Sequence, residues 1–217
     1  MSNITKADTK QLWKVSYPLM ISFMSTFLML FVDRLFLSFY DKEALNASAV
    51  SGTLAWSLIV AWITLAALAE VFVAQYNGAK RYRELSHPVW QMIWLSILSI
   101  LFFGFSAGWL SHMIYPSEKL TYQRDYFQWL MIAGPFGVAL SGISAFYIGQ
   151  GRAQIVKWLS ILGNVINIVL DPILIFGIDG FIPSMGIKGA AIATCMGFKP
   201  AAQMLNVSTS HVSRAVT

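Results

Sequence analysis

Five long apolar runs dominate this sequence, at about 13–37, 50–74, 88–110, 126–148 and 157–177. A helix needs about 20 mainly apolar residues to cross the hydrocarbon core of a bilayer, and each run reaches that length. Only 12% of the 217 residues are charged, against about 25% in ordinary soluble domains. The sequence therefore predicts an all-α polytopic membrane protein.

A sixth apolar run starts at Ile187 and is shorter than the others. It stops after 12 residues, before Lys199 and Pro200. Residues 199–217 are polar or small and show no apolar periodicity, which is typical of a disordered or surface segment. We therefore expect a transmembrane lobe over 1–198, with five full helices and a short sixth, and a tail over 199–217 that is disordered or out of register.

The positions of lysine and arginine predict how these helices are oriented. Eight basic residues lie in the loops on the side of the N-terminus: Lys6, Lys10, Lys14, Lys80, Arg81, Arg83, Arg152 and Lys157. Four lie in the opposite loops: Lys42, Lys119, Arg124 and Lys188. Because basic residues favour the cytoplasmic side, we expect a cytoplasmic N-terminus and external loops at 41–48 and 179–186. The same bias explains the net charge of +5 without a nucleic-acid partner.

Several catalytic chemistries lack the residues that they need. Cys195 is the only cysteine, so an intramolecular disulfide or a thiolate metal cluster cannot form. There is no Walker A lysine motif for an ATPase. Ser144 could be the nucleophile of an intramembrane serine protease only if a histidine base lay at membrane depth. The histidines lie instead at the edges of apolar runs or in the tail. We therefore expect no enzyme activity and no bound cofactor.

The run at 157–177 contains three polar residues on one helical stripe. Asn164, Asn167 and Asp171 are spaced by three and four positions, which places them on the same helix face. Pro172 removes a backbone donor and disfavours the α conformation at Asp171, so a freed carbonyl would lie beside carboxylate and amide oxygens. Such a group of oxygens suits a small hard cation. The alternative is a simple proline kink.

The first run has a similar stripe, on which Ser22, Ser25, Thr26 and Asp33 share a face. An acid at membrane depth costs about 2.5–3.5 kcal/mol on insertion scales, and in a bundle both stripes should face inward. Interhelical hydrogen bonds contribute only about 0.6 kcal/mol on average, which is less than this insertion cost. A functional site therefore explains Asp33 and Asp171 better than hydrogen bonding between helices does. Structural hydrogen bonding stays the alternative. Glu70 is a third acid, for which transport and pairing with a nearby basic loop are both open.

Three stretches of the chain resemble the N-terminal half of the multidrug and toxic compound extrusion (MATE) transporters. The first is the opening helix, with "YPLMIS" followed by "FVDRLFLS". The second is "VAQYNGAKRYREL", after the second run. The third and most specific covers Gly149 to Thr194 and includes "GNVINIVLDPILIFG". Together the similarity extends over about residues 11–198.

This resemblance implies a specific architecture and a specific set of site residues. MATE transporters have twelve helices in two six-helix lobes and export organic, often cationic, compounds against inward Na⁺ or H⁺. The residues of the family's N-lobe cation site correspond here to Asp33, Asn167, Asp171 and Thr194, and the helix-1 proline implicated in bending corresponds to Pro18. Beside them, Ser22, Thr26 and Asn164 are expected to line a polar cavity.

We therefore expect the N-lobe of a cation-coupled multidrug antiporter in the cell membrane, moving small organic cations and using Na⁺ or H⁺ as the coupling ion. The family pattern is lost after residue 198, so we expect a truncated product, or a half that joins a separately encoded C-terminal lobe. One alternative is a flippase for lipid-linked saccharides, which should carry basic residues in its central cavity. The other is a membrane fragment that transports nothing.

Overall fold

The computed structural model of this chain describes residues 6–178 and 180–197. The tail predicted at 199–217 lies outside the described residues, as does Asp179. The helices, in chain order, are α1 (Lys6–Tyr40), α2 (Lys42–Ala67), α3 (Ala69–Gly78), α4 (Ser86–Phe105), α5 (Ser111–Ile114), α6 (Thr121–Gly149), α7 (Ala153–Phe176) and α8 (Ile187–Gly197). A π-helical turn, Ser106–Leu110, joins α4 to α5.

Within these ranges, five helical segments are long and apolar enough to cross a membrane: Leu12–Tyr40, Lys42–Gly78, Tyr82–Ile114, Glu118–Gly149 and Ala153–Phe176. Helix α8 is apolar but has only 11 residues. The predicted five full helices and short sixth are thus confirmed. All five segments extend three to eight residues beyond the predicted apolar run at one end or both. A helix keeps its backbone hydrogen bonds beyond the hydrocarbon core, where polar side chains are tolerated.

One predicted loop was wrong: residues 41–48 do not form a loop but belong almost entirely to α2. Asp41 is the N-cap, and its carboxylate accepts hydrogen bonds of 3.3 Å from the backbone N–H groups of Glu43 and Ala44. An aspartate at this position satisfies donors that the first helical turn leaves unpaired. The chain therefore turns from α1 into α2 around a single residue.

Pro172 also behaves differently from the prediction that it would move Asp171 out of the α conformation. Both residues lie inside α7, which continues for another turn. A proline removes one backbone donor, and neighbouring helices in a membrane bundle compensate for that loss. The helix ends instead at Gly177, where φ is +79° and the backbone of the following loop packs directly against the Cα atom.

Helix α6 packs against α2, α3, α4 and α8 and stabilises the irregular turns in two spans. Where α2 gives way to α3, the hydroxyl of Ser141 donates a 3.0 Å hydrogen bond to the carbonyl of Ile63. Just after the π-helical turn, Gln128 donates a 3.0 Å hydrogen bond to the hydroxyl of Ser111. Side chains of α6 thus bond to polar groups at both interruptions.

Helices α1 and α7 form the interface on which the polar stripes meet. Near the middle of both helices, Asn164 donates a hydrogen bond to Ser25. Near their C-terminal ends, the ring of Phe176 packs edge-on against Phe36 and Tyr40, with ring centroids 6.3 and 6.2 Å away. The residue numbers of the contacting pairs increase together along both helices, so α1 and α7 run in the same direction.

Candidate functional site

Asp33 of α1 and Asp171 of α7 lie at the same level of this parallel helix pair. Asn164 hydrogen-bonds to Thr26 at 3.3 Å, and seven positions separate Thr26 from Asp33 and Asn164 from Asp171. Because each residue adds the same rise along a helix, the contact between Asn164 and Thr26 brings the two acids to equal depth. Both are buried, with 4% of Asp33 and 0% of Asp171 exposed, and Asp33 acts electrostatically on Asp171 across the interface.

Asn167 connects Asp171 to the short helix α8. Its side-chain Nδ2 lies 3.5 Å from Asp171 Oδ1 and 3.5 Å from Thr194 Oγ1. The Thr194 hydroxyl in turn donates a 3.1 Å hydrogen bond to the carbonyl of Ala190. The four residues that the family resemblance indicates as a cation site therefore come from three helices, and three of the four are joined by direct contacts.

Three oxygen atoms of this group are buried and have no hydrogen-bond partner among the described residues: Asp33 Oδ1, Asp171 Oδ2 and Asn167 Oδ1. An unsatisfied buried polar atom costs about 1–3 kcal/mol, so each one needs an explanation. Arg34 follows Asp33 in sequence but is exposed, and the two ion pairs found among the described residues involve neither acid. Carboxylate and amide oxygens bind hard cations, and a carboxylate can equally bind a proton. The arrangement suits either one.

The other predicted polar residues continue the stripe towards the N-terminal half of α1. Asn164 Nδ2 donates to Ser25 Oγ at 2.9 Å and to Thr26 Oγ1 at 3.3 Å. Thr26 Oγ1 donates to the Ser22 carbonyl, and Ser22 Oγ to the Pro18 carbonyl, both at 3.1 Å. Pro18 is fully buried inside α1. Proline and such hydroxyl-to-carbonyl bonds both favour bending, so this segment is the part of α1 most suited to bend.

Tyr126 of α6 belongs to the same environment but was not anticipated from the sequence. It is buried, with 6% exposed, and it interacts electrostatically with both Asp33 and Asp171. Its ring also packs against Gly52 of α2, where an added Cβ would lie 3.2 Å from the ring. A tyrosine near the start of an apolar run is typical of an interfacial anchor, so no signal in the sequence separates Tyr126 from that common role.

Glu70 is not part of this group. It lies in the first turn of α3, whereas the acids and their neighbours lie on α1, α6, α7 and α8. Its side chain is half-buried, and the ion pairs found among the described residues do not include it. The structure therefore gives Glu70 no direct contact with the candidate site, and both of its predicted roles stay open.

A close contact between two glycines holds α8 next to Asn167. A Cβ added to Gly163 would lie 2.5 Å from the carbonyl oxygen of Gly197, and a Cβ added to Gly197 would lie 3.0 Å from the carbonyl oxygen of Gly163 and 3.5 Å from Asn167 Cβ. Real Cβ atoms do not approach other atoms as closely as 2.5 Å. The missing side chains thus allow α7 and α8 to approach closely enough for Asn167 to reach Thr194.

The sequence of this chain is similar to those of one protein family. A model of the MatE family matches residues 18–173. The chain is 28% identical over 197 residues to the probable multidrug resistance protein NorM of Thermotoga maritima, and 26% identical over 195 residues to the multidrug export protein MepA of Staphylococcus haemolyticus. These matches cover 86% of this chain and 41% and 42% of the relatives. The chain therefore spans about two fifths of the length of the curated relatives that it matches.

The chain also covers a similar fraction of the solved structures that it matches. The chain aligns with a MATE family transporter of the MOP superfamily in an outward-facing conformation, with a TM-score of 0.75 and 22% sequence identity. The alignment covers 90% of this chain and 43% of that chain. At this identity the likeness shows the fold, and it confirms the predicted six-helix lobe as the equivalent of about half of a larger helical protein.

Proposed function

This chain belongs to the MatE family, and from that premise we propose that it forms the N-terminal lobe of a multidrug efflux transporter coupled to Na⁺ or H⁺. The observation that carries the proposal is the pair Asp33 and Asp171, buried at equal depth, each with an oxygen that has no hydrogen-bond partner in the described part of the chain. Because both carboxyl groups are buried, it is energetically costly for Asp33 and Asp171 to be negatively charged at the same time. Binding one Na⁺ or one proton would therefore relieve both the desolvation and the repulsion.

Coupling would follow from competition within the lobe. A cationic substrate and a coupling cation are both attracted by the same negative group, so binding of one disfavours binding of the other. Asn167 and Thr194 would supply neutral oxygen ligands, because the Asn167 amide lies beside Asp171 and the Thr194 hydroxyl of α8 lies beside that amide. Alternating access would come from one lobe rocking against another, which requires a C-terminal lobe as partner.

The chemistry of the stripes supports small organic cations as substrates. The polar side chains of the stripes that meet at the α1–α7 interface are acids, amides and hydroxyls, namely Asp33, Asp171, Asn164, Asn167, Ser25 and Thr26. A flippase that accepts lipid-linked phosphates would need basic residues at these positions, so the flippase alternative is not favoured. We accordingly propose transport rather than catalysis.

We also propose that the N-terminus of the chain is cytoplasmic and that the lobe lies in the cell membrane. The turn between α3 and α4 carries Lys80, Arg81 and Arg83, all of which are exposed, and the turn between α6 and α7 carries exposed Arg152. Both turns lie at the same end of the bundle, because an even number of spans separates them. Clustering of basic residues at one end supports a cytoplasmic location for that end.

Cation binding by the purified chain tests the proposal. The 217-residue chain in detergent micelles should bind ²²Na⁺ saturably or, if coupled to protons, should release protons on binding a cationic dye. Asp33→Asn and Asp171→Asn should each remove this binding, and Glu43→Gln, which removes an exposed carboxylate, should leave it unchanged. Saturable binding of neither cation, or equal binding by Asp171→Asn and the unmodified chain, would contradict a shared cation site.

A further inference from the structure

We propose that the coupling cation passes between the two acids and solvent on the side of Asn164, which is the half of the helix pair nearer the proposed cytoplasmic end, so that an inward-moving cation is released here. The bridge from Asn164 to Ser25 and Thr26 is the gate on this route. The opposite side is closed by an apolar wall. This inference rests on the proposed function, because it concerns access to the same acid pair. It adds a direction of access and a gating residue, both of which follow from what lies one or two turns to either side of the acids.

The wall lies one helical turn beyond each acid, towards the C-terminal ends of α1 and α7. Leu37 follows Asp33 by four positions and Ile175 follows Asp171 by four, and both aliphatic side chains are fully buried. They pack in one cluster with Ile187 and with the ring of Tyr126. Small alanines of α2 and α8 complete this cluster. Apart from the Tyr126 hydroxyl, the side chains of this cluster would offer a cation only aliphatic and aromatic carbon.

The loop between α7 and α8 holds the wall closed. The carbonyl of Ile175 accepts two hydrogen bonds from this loop, one of 2.8 Å from the Ser184 hydroxyl and one of 3.1 Å from the Gly186 backbone. Gly186 has φ +55° and lies directly against the ring of Tyr40, leaving no room for a side chain. The loop is therefore bonded and packed over the end of the helix pair at several points.

On the other side of the acids the interface is more polar, although Met29 of α1 also lies there. Asn164, Ser25 and Thr26 lie two turns before the acids and are each half-buried, whereas Asn167, between Asn164 and Asp171, is fully buried. One turn from the acids both sides are buried, with Met29 and Asn167 on this side and Leu37 and Ile175 on the other, so the two sides differ in polarity rather than in exposure. Hydroxyl and amide oxygens also replace water around a cation that is losing its hydration shell.

The bridge itself has the form of a gate. Asn164 uses Nδ2 for its hydrogen bonds to both hydroxyls of α1, and these bonds join α1 to α7 across the route. They do not engage Oδ1, which is therefore able to coordinate a passing cation. Opening breaks these polar bonds and separates α1 from α7 beside Met29, whereas opening the wall would expose a larger cluster of packed hydrocarbon. The bridge is thus the weaker barrier of the two.

A matched pair of cysteine probes tests the direction of access. Asn167 and Ile175 are both 0% exposed, and each lies four positions from Asp171, on opposite sides. In a Cys195→Ala background, Asn167→Cys and Ile175→Cys would be labelled in micelles with a small cationic methanethiosulfonate reagent. We expect position 167 to react roughly tenfold faster or more, because local opening on its side breaks polar bonds and exposes less packed hydrocarbon.

Adding Asn164→Ala tests the gate. It should accelerate labelling at position 167 by roughly fivefold, the factor that corresponds to losing about one hydrogen bond, and should leave position 175 unchanged. Met29→Cys and Leu37→Cys repeat the comparison on α1, since both residues are buried and each lies four positions from Asp33. This second pair replaces the first if an α7 variant does not fold.

Three results would overturn the proposal: faster labelling at 175 than at 167, no labelling at either position, or no acceleration by Asn164→Ala. The labelling needs no bound Na⁺, so it is independent of the coupling function. If the labelling pattern is as expected but the chain binds no cation, the proposed function fails and the route stands. If the chain binds a cation but the pattern is reversed, only the route is wrong.

Discussion

The 2.9 Å hydrogen bond from Asn164 to Ser25 fixes the register in which α7 lies along α1. From this contact both helices run in the same direction for two more turns before each presents a buried carboxylate. The depth of the acid pair is therefore set by a neutral contact some distance away and not by any bond between the acids. A site built in this way can hold its two carboxylates together whether or not a cation neutralises them.

Replacing either acid by its amide should stabilise the chain. Asp33→Asn and Asp171→Asn each remove a buried charge and its repulsion, so we expect a gain of about 1–3 kcal/mol in the free energy of unfolding for the first substitution. When the second substitution is combined with the first, the further gain in the free energy of unfolding should be smaller, because the repulsion between the two acids is already gone. Denaturant titration followed by circular dichroism in micelles measures both values.

The sign of that change separates the two interpretations of Asp171. If Asp171 has mainly a structural role, Asp171→Asn should destabilise the chain, since its carboxylate accepts from Asn167 of the same helix, and Asn167 in turn contacts Thr194 of α8. A loss of stability would thus support structural bonding beside Pro172. Ser38→Ala serves as a control, because Ser38 is exposed and bonds only to the Leu35 carbonyl of its own helix.

Adding a methyl group at Gly163 should loosen the contact between α7 and α8. The new Cβ would lie 2.5 Å from the carbonyl of Gly197, so the helices must separate, at a cost of about 1–3 kcal/mol. Gly104→Ala is the matched control, because nothing lies within 4 Å of its added Cβ and alanine favours a helix over glycine by about 1 kcal/mol. Thermal unfolding of both variants gives the comparison, and equal stability would refute the close-contact argument.

Part of this site was predictable from the sequence because its spacing is local. Asn164, Asn167 and Asp171 recur at three and four positions, and that period alone places them on one helix face whatever the rest of the fold does. Thr194 has no such partner on its own short helix, so only the family resemblance indicated it. Its contact with Asn167 depends on how α8 crosses α7, which is a tertiary property.

The errors have similar physical causes. The loop predicted at 41–48 followed from the end of an apolar run, but the position of Asp41 as a helix cap depends on side-chain geometry that hydropathy does not report. Tyr126 was missed because its position beside both acids is fixed by how α6 packs against its neighbours. Pro172 was expected to disturb Asp171, yet packing on both sides keeps α7 helical through it.

The orientation of the lobe can be checked with single cysteines in a Cys195→Ala background. Asn46, near the start of α2, and Arg81, in the turn after α3, are both exposed and lie at opposite ends of the same span. A membrane-impermeant thiol reagent added to intact cells should label Asn46→Cys and spare Arg81→Cys, because basic residues cluster around position 81. Labelling of position 81 alone would reverse the proposed topology.

Expression of this chain alone should give no energy-dependent export of a cationic dye. Its relatives are more than twice as long, and rocking of one lobe against another needs both lobes. A pump-deficient cell that expresses the 217-residue chain should accumulate dye as fast as a cell with an empty vector, although the chain is found in the membrane fraction. Adding a separately encoded C-terminal lobe from a relative should restore export, and Asp171→Asn should abolish the restored export. Export by the chain alone would instead indicate that copies of this lobe assemble with each other, in which case the export rate should rise steeply with expression level.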